Sequence, residues 1–303
     1  MSRELKLHII KPGLFTTVQD QGRPGYQAFG VPISGALDQK SAAVGNLLVN
    51  NSAQTPVLEI TMMGPTIQFE GVGWIAITGA NLSPSLNGVP CQQYQTLAVN
   101  SGDTLKFGRP IDGCRAYLAV AGEWILPKWL GSYSAITQNG AQLTPASILT
   151  KGQIITITSS TPTSRTWPVE GRLSGAGTSP IRVLPGPEFE SFSRFNIGSF
   201  FSQTFTISPD SNRMGYRLKE CLSSFKPEKE LISSGVIPGT IQVTGAGQPI
   251  LLLADAQTTG GYYRLANVVG KDMDVIAQLK PGDQIRFALL LDKAGDEGIS
   301  ASV

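Results

Sequence analysis

Apolar and polar positions alternate along this chain in short runs, and glycine or proline closes most of them. Leu5–Ile10, Thr66–Phe69, Trp74–Thr78, Leu105–Phe107, Arg115–Val120 and Ile154–Thr158 mix β-branched and aromatic residues at a period near two, the pattern of strands. The same pattern predicts strands at Ile181–Leu184, Phe201–Ile207, Thr240–Val243, Ile250–Leu253, Val275–Gln278 and Gln284–Leu291. Ile250-Leu-Leu-Leu253 is apolar on both faces, so it belongs inside a closed or packed sheet. One stretch breaks the period. Asp38 is placed to cap a helix over Gln39–Val49, with Ala42, Ala43, Leu47 and Leu48 on its apolar face and Asn50-Asn51 at its end.

Several strand-and-turn segments occur twice, in the same order. Asp20-Gln-Gly-Arg23-Pro-Gly25-Tyr26 returns as Asp210-Ser-Asn-Arg213-Met-Gly215-Tyr216. A strand ending in Pro-Gly precedes each copy, at Pro12-Gly13 and at Pro185-Gly186. Thr66-Ile-Gln-Phe69 or Thr240-Ile-Gln-Val243 follows, then Gly102-Asp-Thr-Leu-Lys-Phe107 or Gly282-Asp-Gln-Ile-Arg-Phe287. Such a repeat predicts an internal duplication into two similarly folded, mainly β domains with few short helices. The predicted boundaries are 1–165 for the first domain, 166–180 for a linker and 181–303 for the second. The linker lies in a Ser/Thr/Pro/Gly-rich stretch, Ser159 to Pro180, without periodicity.

Composition narrows the chemistry. The 303 residues are 41% hydrophobic and 15% charged with a net charge of +2, enough apolar material for two cores and no basic footprint for nucleic acid. No apolar run approaches the ~20 residues needed to cross a bilayer, and the N-terminus lacks a signal-peptide core, so a cytoplasmic location is expected. Three scattered cysteines, Cys91, Cys114 and Cys221, favour neither disulfides nor a metal site. The single histidine, His8, lies on the first predicted strand and reads as an ordinary strand residue. A Ser-His-Asp or Cys-His site within the chain would have to recruit it. Gly270-Lys271 is followed by Asp272, which is not a phosphate-binding loop.

Asp, Arg, Gln, Thr, Tyr and backbone amides remain as the available chemistry. The richest polar run is Asp255-Ala-Gln257-Thr258-Thr259-Gly260-Gly261-Tyr262, directly after an apolar strand. Its glycines allow close backbone approach, its threonines supply donors, and Asp255 is a candidate proton acceptor or amine anchor. A hairpin that satisfies its own turn is the competing reading. Arg23 and Arg213 are candidate forks for a carboxylate or phosphate, or partners of Asp20 and Asp210 in loop clamps. Ser34 to Asp38, at the helix start, is a candidate anion site, although Asp38 as a plain cap explains itself.

Four spaced segments carry a family likeness: Thr17-Val-Gln-Asp20-Gln-Gly22-Arg23, Gly30-Val-Pro-Ile-Ser34-Gly35-Ala-Leu-Asp38, Arg213-Met-Gly215-Tyr-Arg217-Leu and Asp255-Ala-Gln257-Thr-Thr-Gly-Gly261-Tyr. Over essentially the whole chain these resemble the biotin-dependent carboxyltransferase family, whose members are also called allophanate hydrolase subunit 2 or the C subunit of 5-oxoprolinase. The resemblance implies two cyclophilin-like β-barrel domains. It also implies a place in an ATP-dependent 5-oxoprolinase complex, with ATP and Mg bound by the complex. Its partners there are a subunit 1 type (B-type) cyclophilin-like protein and an A-type protein. On that basis Asp255, Gln257, Thr258 and Thr259 are the expected catalytic group. Arg213, Arg23, Gly260, Gly261, Tyr262, Ser34, Asp38 and Asp20 are expected to bind the small amide substrate or an anion. Asp255→Ala is expected to abolish turnover and leave the fold intact. Two alternatives stay open: carboxyl transfer from carboxybiotin to urea or a related amide, and a non-enzymatic antagonist of a kinase inhibitor. The chain departs from the family pattern at Asn212, Tyr263, Glu123 and in Leu130-Gly-Ser-Tyr133-Ser-Ala135, where Leu-Gly-Ser-Arg-Ser-Thr is usual.

Overall fold

A computed structural model describes residues 3–137, 143–168, 179–223, 225–226 and 229–290. In chain order the first half supplies β1 (Arg3–Lys11), β2 (Phe15–Gln19), α1 (Gln39–Leu48), β3 (Val57–Thr61), β4 (Thr66–Glu70) and β5 (Gly73–Asn81). It continues with β6 (Ser85–Leu86), β7 (Val89–Pro90), β8 (Thr96–Val99), β9 (Thr104–Lys106), β10 (Asp112–Val120), β11 (Gly122–Ile125) and β12 (Ile154–Ser159). The second half contains β13 (Ile181–Pro185), α2 (Arg194–Ser202), β14 (Phe205–Thr206), β15 (Gly215–Arg217), β16 (Ser234–Gly235) and β17 (Thr240–Val243). After these come β18 (Pro249–Leu252), β19 (Thr259–Gly260), β20 (Tyr263–Val268), α3 (Met273–Ala277), β21 (Gln284–Ile285) and β22 (Phe287–Leu289).

Two sheets build the first half, ordered β11-β12-β1-β4-β9-β6-β7 and β2-β3-β10-β5-β8. Strand alternation turns Leu5, Leu7 and Ile9 of β1 inward with Ile67, Phe69, Ile155 and Ile157, against Leu58, Ile60, Ile75, Ile77 and Leu118 of the other sheet. The opposite face of β1 carries His8, whose ring hydrogen-bonds Glu70 at 2.8 Å on the protein surface, as an ordinary strand histidine does. A six-stranded sheet, β15-β18-β17-β20-β13-β22, organises the second half around Val183, Phe200, Phe205, Ile241, Leu251 and Leu265. The mainly β class agrees with the alternation in the sequence. Among the described residues the three ladders stay open-ended, so no hydrogen-bonded closure into a barrel is found.

The duplicated segments fall on strands or strand ends, but their neighbours differ. β4 pairs directly with β1, whereas β20 separates β17 from β13. The recurrent Pro-Gly has a local reason. A Cβ at Gly13 would lie 2.5 Å from the Met63 carbonyl oxygen, and one at Gly186 would lie 2.2 Å from that of Arg264. Only glycine lets the backbones pass at both places.

Two predicted strands are helical. Val275–Gln278 falls in α3 and its C-cap, and Phe201–Ile207 begins inside α2, with Phe205–Thr206 forming β14 and Ile207 bridging Leu218. Short apolar runs fit either period, and here the decisive local signal was Ser193, whose hydroxyl accepts from the Asn196 amide and caps α2. The predicted helix is present: α1 spans Gln39–Leu48, and Asp38 accepts from the Ser41 amide at 2.8 Å. Of the expected linker, residues 169–178 lie outside the described set, as does the stretch from Leu291 onward. The chain up to Trp167 is tied along the first half, with the Thr96 amide donating to the Arg165 carbonyl and that of Trp167 to the Tyr94 carbonyl.

Candidate functional site

Alternation on β3 and β10 sends a polar set to the side away from the first-half core. Leu58 and Ile60 point into that core, so Glu59 and Thr61 face outward, beside Arg115 and Tyr117 of the paired β10. α1 covers one end of this face, and the second half covers the other. Leu37, just before α1, packs into the second-half core, and Leu37 and Asp38 donate their amides to Glu59 and to the Tyr117 hydroxyl at 2.8 Å each.

Arg213 enters this seam from the loop before β15. Its Nη1 donates to Glu59 Oε1, its Nη2 to the Gly35 carbonyl at 2.7 Å, and its Nε and Nη2 to the two oxygens of Asp255 at 3.0 Å. Asp255 also accepts from the Thr137 hydroxyl at 2.5 Å. Arg115 donates to the Tyr216 hydroxyl at 2.7 Å and to the Ala277 carbonyl at 2.5 Å. Gln278 completes the seam, accepting from the Cys114 and Arg115 amides and donating to the Arg115 carbonyl and to Asp38. Desolvation works against charge here, yet Asp255 and Glu59 hold the Arg213 guanidinium above its usual value. Fork-shaped pairing of this kind makes a buried arginine tolerable.

A cleft of about 680 Å³ opens beside this network, between Phe15, Thr61 and Met62 of the first half and Met214, Tyr216 and Leu279 of the second. That volume suits a small ligand. Arg115, Arg213, Thr137 and Cys114 also reach its wall. Burial pushes the Tyr216 phenol up to about 12 and the Cys114 thiol upward, so both are protonated near neutrality. Among the described residues the buried Thr61 hydroxyl has no hydrogen-bond partner. The Tyr216 hydroxyl donates to the Leu279 carbonyl at 2.8 Å, so the wall offers the Thr61 hydroxyl and paired arginines, groups able to bind and orient a carbonyl or carboxylate.

The residues singled out in the sequence are dispersed. Asp255 is fully buried in the Arg213 pair and is not an accessible base. Gln257 and the half-exposed Tyr262 line a different, smaller pocket. Thr259 and Gly260 form β19 against β16, while Thr258 uses its carbonyl to accept from Val236 and Gly261 closes against Leu231. The structure therefore does not assemble Asp255, Gln257, Thr258 and Thr259 into one catalytic group; the strand pairing at β19 divides them.

The first copy is also differently employed. Asp20 accepts from Gly22, Ser132, Tyr133 and Ser134, which saturates its carboxylate and pins that turn. Arg23 lies under Trp129 and donates to the Ser134 carbonyl, and burial lowers its pKa, with Asp20 and Asp255 offsetting part of that effect. Ser34 is buried with its amide on the Ala254 carbonyl. The expected anion site at the start of α1 is filled by the chain's own carboxylates: Asp38 caps it, Glu59 takes the Leu37 amide, and Asp274 accepts from Lys40.

Glu59, Arg115, Tyr117, Thr61 and Gln278 were not singled out in the sequence. A charged residue within Val57-Leu-Glu59-Ile and within Cys114-Arg115-Ala-Tyr-Leu was the available signal, because strand interiors bury charge only when it is paired.

Asp38 gives a pH prediction. Burial raises its carboxyl to about 6, against hydrogen bonds from Ser41 and Gln278 that lower it. A folded value above the unfolded one means that the native state binds the extra proton, so the stability from this group is full below about pH 4 and is lost as pH rises through about 6. Two pKa units correspond to ~3 kcal/mol. Between about pH 4 and pH 7, wild type should lose ~2–3 kcal/mol relative to Asp38→Asn in denaturant titrations. Parallel pH profiles for the two proteins would refute the assignment.

Comparison with known proteins now gives this geometry a context. The model of the carboxyltransferase domain, subdomain A and B, matches residues 29–289. The C subunit of 5-oxoprolinase from Escherichia coli is 40% identical over 93% of this chain and 90% of its own. Its counterpart in Haemophilus influenzae, also a 5-oxoprolinase C subunit, is 33% identical, covering 89% and 87%. Urea amidolyase of Saccharomyces cerevisiae is 32% identical over 94% of this chain, which spans only 16% of that protein. Among solved structures, TTHA0988 superposes with a TM-score of 0.81 at 30% identity, over 95% of this chain and 56% of its own. The K. lactis urea amidolyase gives 0.83 at 29% identity, over 94% and 19%.

Proposed function

We propose a function from family membership: the chain belongs to the family of carboxyltransferase domains with subdomains A and B. Within it, we read the chain as the C subunit of a 5-oxoprolinase-type complex that opens 5-oxoproline to glutamate at the expense of ATP. The observation that carries this reading is the end-to-end likeness to the E. coli C subunit, with 90% of that protein matched, against 16% of the amidolyase. Its partners on this reading are a B-type (subunit 1 type) protein and an A-type protein, in the cytoplasm. No helix among the described residues is long and apolar enough to cross a membrane.

Opening a five-membered lactam in water is unfavourable near neutrality, and phosphoryl transfer from ATP to the amide oxygen makes the ring carbon electrophilic. The donor set of this chain does not fit the nucleotide: Gly270-Lys271-Asp272 is no phosphate cradle, and the described residues hold no acidic cluster for a metal. We therefore place ATP and Mg on the partners. The cleft supplies what remains. Thr61 and the paired Arg115 and Arg213 bind the carbonyl and carboxylate of the substrate and hold it against the partner's reacting group. Carboxyl transfer from carboxybiotin to an amide nitrogen is a second reading, favoured by the urea amidolyase likeness, and would use the same donors.

Co-expression with the A-type and B-type partners tests this. The expected result is ATP-dependent glutamate formation from 5-oxoproline that requires all three proteins. An assembled three-protein complex without turnover contradicts it and favours a binding-only role.

A further inference from the structure

The loop at 209–214 has a second concave side. Behind it lies a pocket of about 150 Å³ lined by Asp210, Arg217, Gln242, Gln257 and Tyr262, and it shares Asn212 and Met214 with the larger cleft. A single water needs ~10–15 Å³ of such space, so the pocket admits a small organic molecule.

Gln242 is the informative residue. It lies in β17 between Ile241 and Val243, which point into the second-half core, so its own side chain faces the pocket. It is 1% exposed. Its Oε1 accepts from Gln257 Nε2 at 3.5 Å, and its Nε2 has no acceptor among the described residues. An unmet buried donor is a standing cost to the fold, which a ligand oxygen would relieve. Gly260 keeps the space clear, because a Cβ there would lie 2.7 Å from that Nε2. At the rim, Arg217 and Asp210 are both exposed, and neither forms an ion pair among the described residues. Among the described residues the Asp210 carboxylate accepts only from the Ser208 hydroxyl, at 3.4 Å.

A cation, an anion and an inward amide donor around one small cavity match a molecule that carries a carboxylate next to an N–H. We propose that this pocket is a second site, binding a small α-amino or α-amido acid. Arg217 and Gln242 Nε2 take the carboxylate and Asp210 takes the N–H. The shared loop couples its occupancy to the larger cleft. The site rests on these groups and not on the 5-oxoprolinase reading, since binding is measured without turnover and either can fail alone.

Isothermal titration of the full chain with L-5-oxoproline, L-glutamate and acetate tests it. At least one of the two acids should bind, with acetate at least ~10-fold weaker because it lacks the N–H. Gln242→Leu should weaken binding by about 10- to 100-fold while leaving the thermal midpoint unchanged or higher, since the unmet donor is gone. Arg217→Ala, on the exposed rim, should weaken binding similarly. The proposal is overturned if neither acid binds, if acetate binds as tightly, or if Gln242→Leu keeps full affinity. A marked fall in the midpoint of Gln242→Leu would also overturn it, by showing that the amide serves the fold.

Discussion

Replacing Arg213 by methionine should destabilise the chain by about 3–5 kcal/mol, the range for breaking a buried ion pair from one side. The guanidinium is the common partner of Glu59, Asp255 and the Gly35 carbonyl, and methionine fills the volume while removing the fork from Asp255 and leaving Glu59 to Arg115 at 3.7 Å. For a chain of this size the loss corresponds to a thermal midpoint lower by roughly 5–8 °C. Asp255→Ala should behave in the same direction, because it strands the Arg213 fork and the Thr137 hydroxyl. This reverses the expectation from sequence that Asp255→Ala spares the fold. Calorimetry of both variants decides the matter: midpoints within a degree or two of wild type would mean that the seam contributes little.

The reversal shows where the sequence was legible. Period-two runs bounded by glycine and proline located β1, β4, β5, β10 and β12, and Asp38 before an apolar helical face located α1. Those signals are local, so a single chain displays them. The seam is not local. Arg213 meets Glu59 across 154 residues, and Gln278 meets Arg115 across 163, so no spacing rule could pair them. The repeated Asp-x-x-Arg was readable as a pattern, but not the direction in which each arginine turns. Arg23 stays within the first half on the Ser134 carbonyl, whereas Arg213 crosses between the halves. The polar run Asp255 to Tyr262 looked like one site because its residues are adjacent. Folding separates them, with Asp255 in the seam, Thr259 and Gly260 in a ladder, and Gln257 and Tyr262 on a second pocket. Only Thr259 and Gly260 of the run lie on a strand and Asp255 to Thr258 follow a turn, so adjacency in sequence does not place these side chains on one wall.

On the function proposed above, the cleft between the halves receives the substrate of a complex whose remaining chemistry comes from partners. Thr61 stands at that cleft, its hydroxyl unpartnered among the described residues, across the ladder from Arg115 and Phe15. Phenylalanine in its place would fill part of the cleft and remove the donor, while the Arg213 network would stay intact. In the assembled three-protein complex, Thr61→Phe should lower kcat/KM for 5-oxoproline at least ~100-fold, equivalent to ~2.7 kcal/mol of lost transition-state stabilisation, with complex assembly unchanged. Turnover at the wild-type rate by an assembled complex carrying Thr61→Phe would contradict the account and move the reaction away from this cleft.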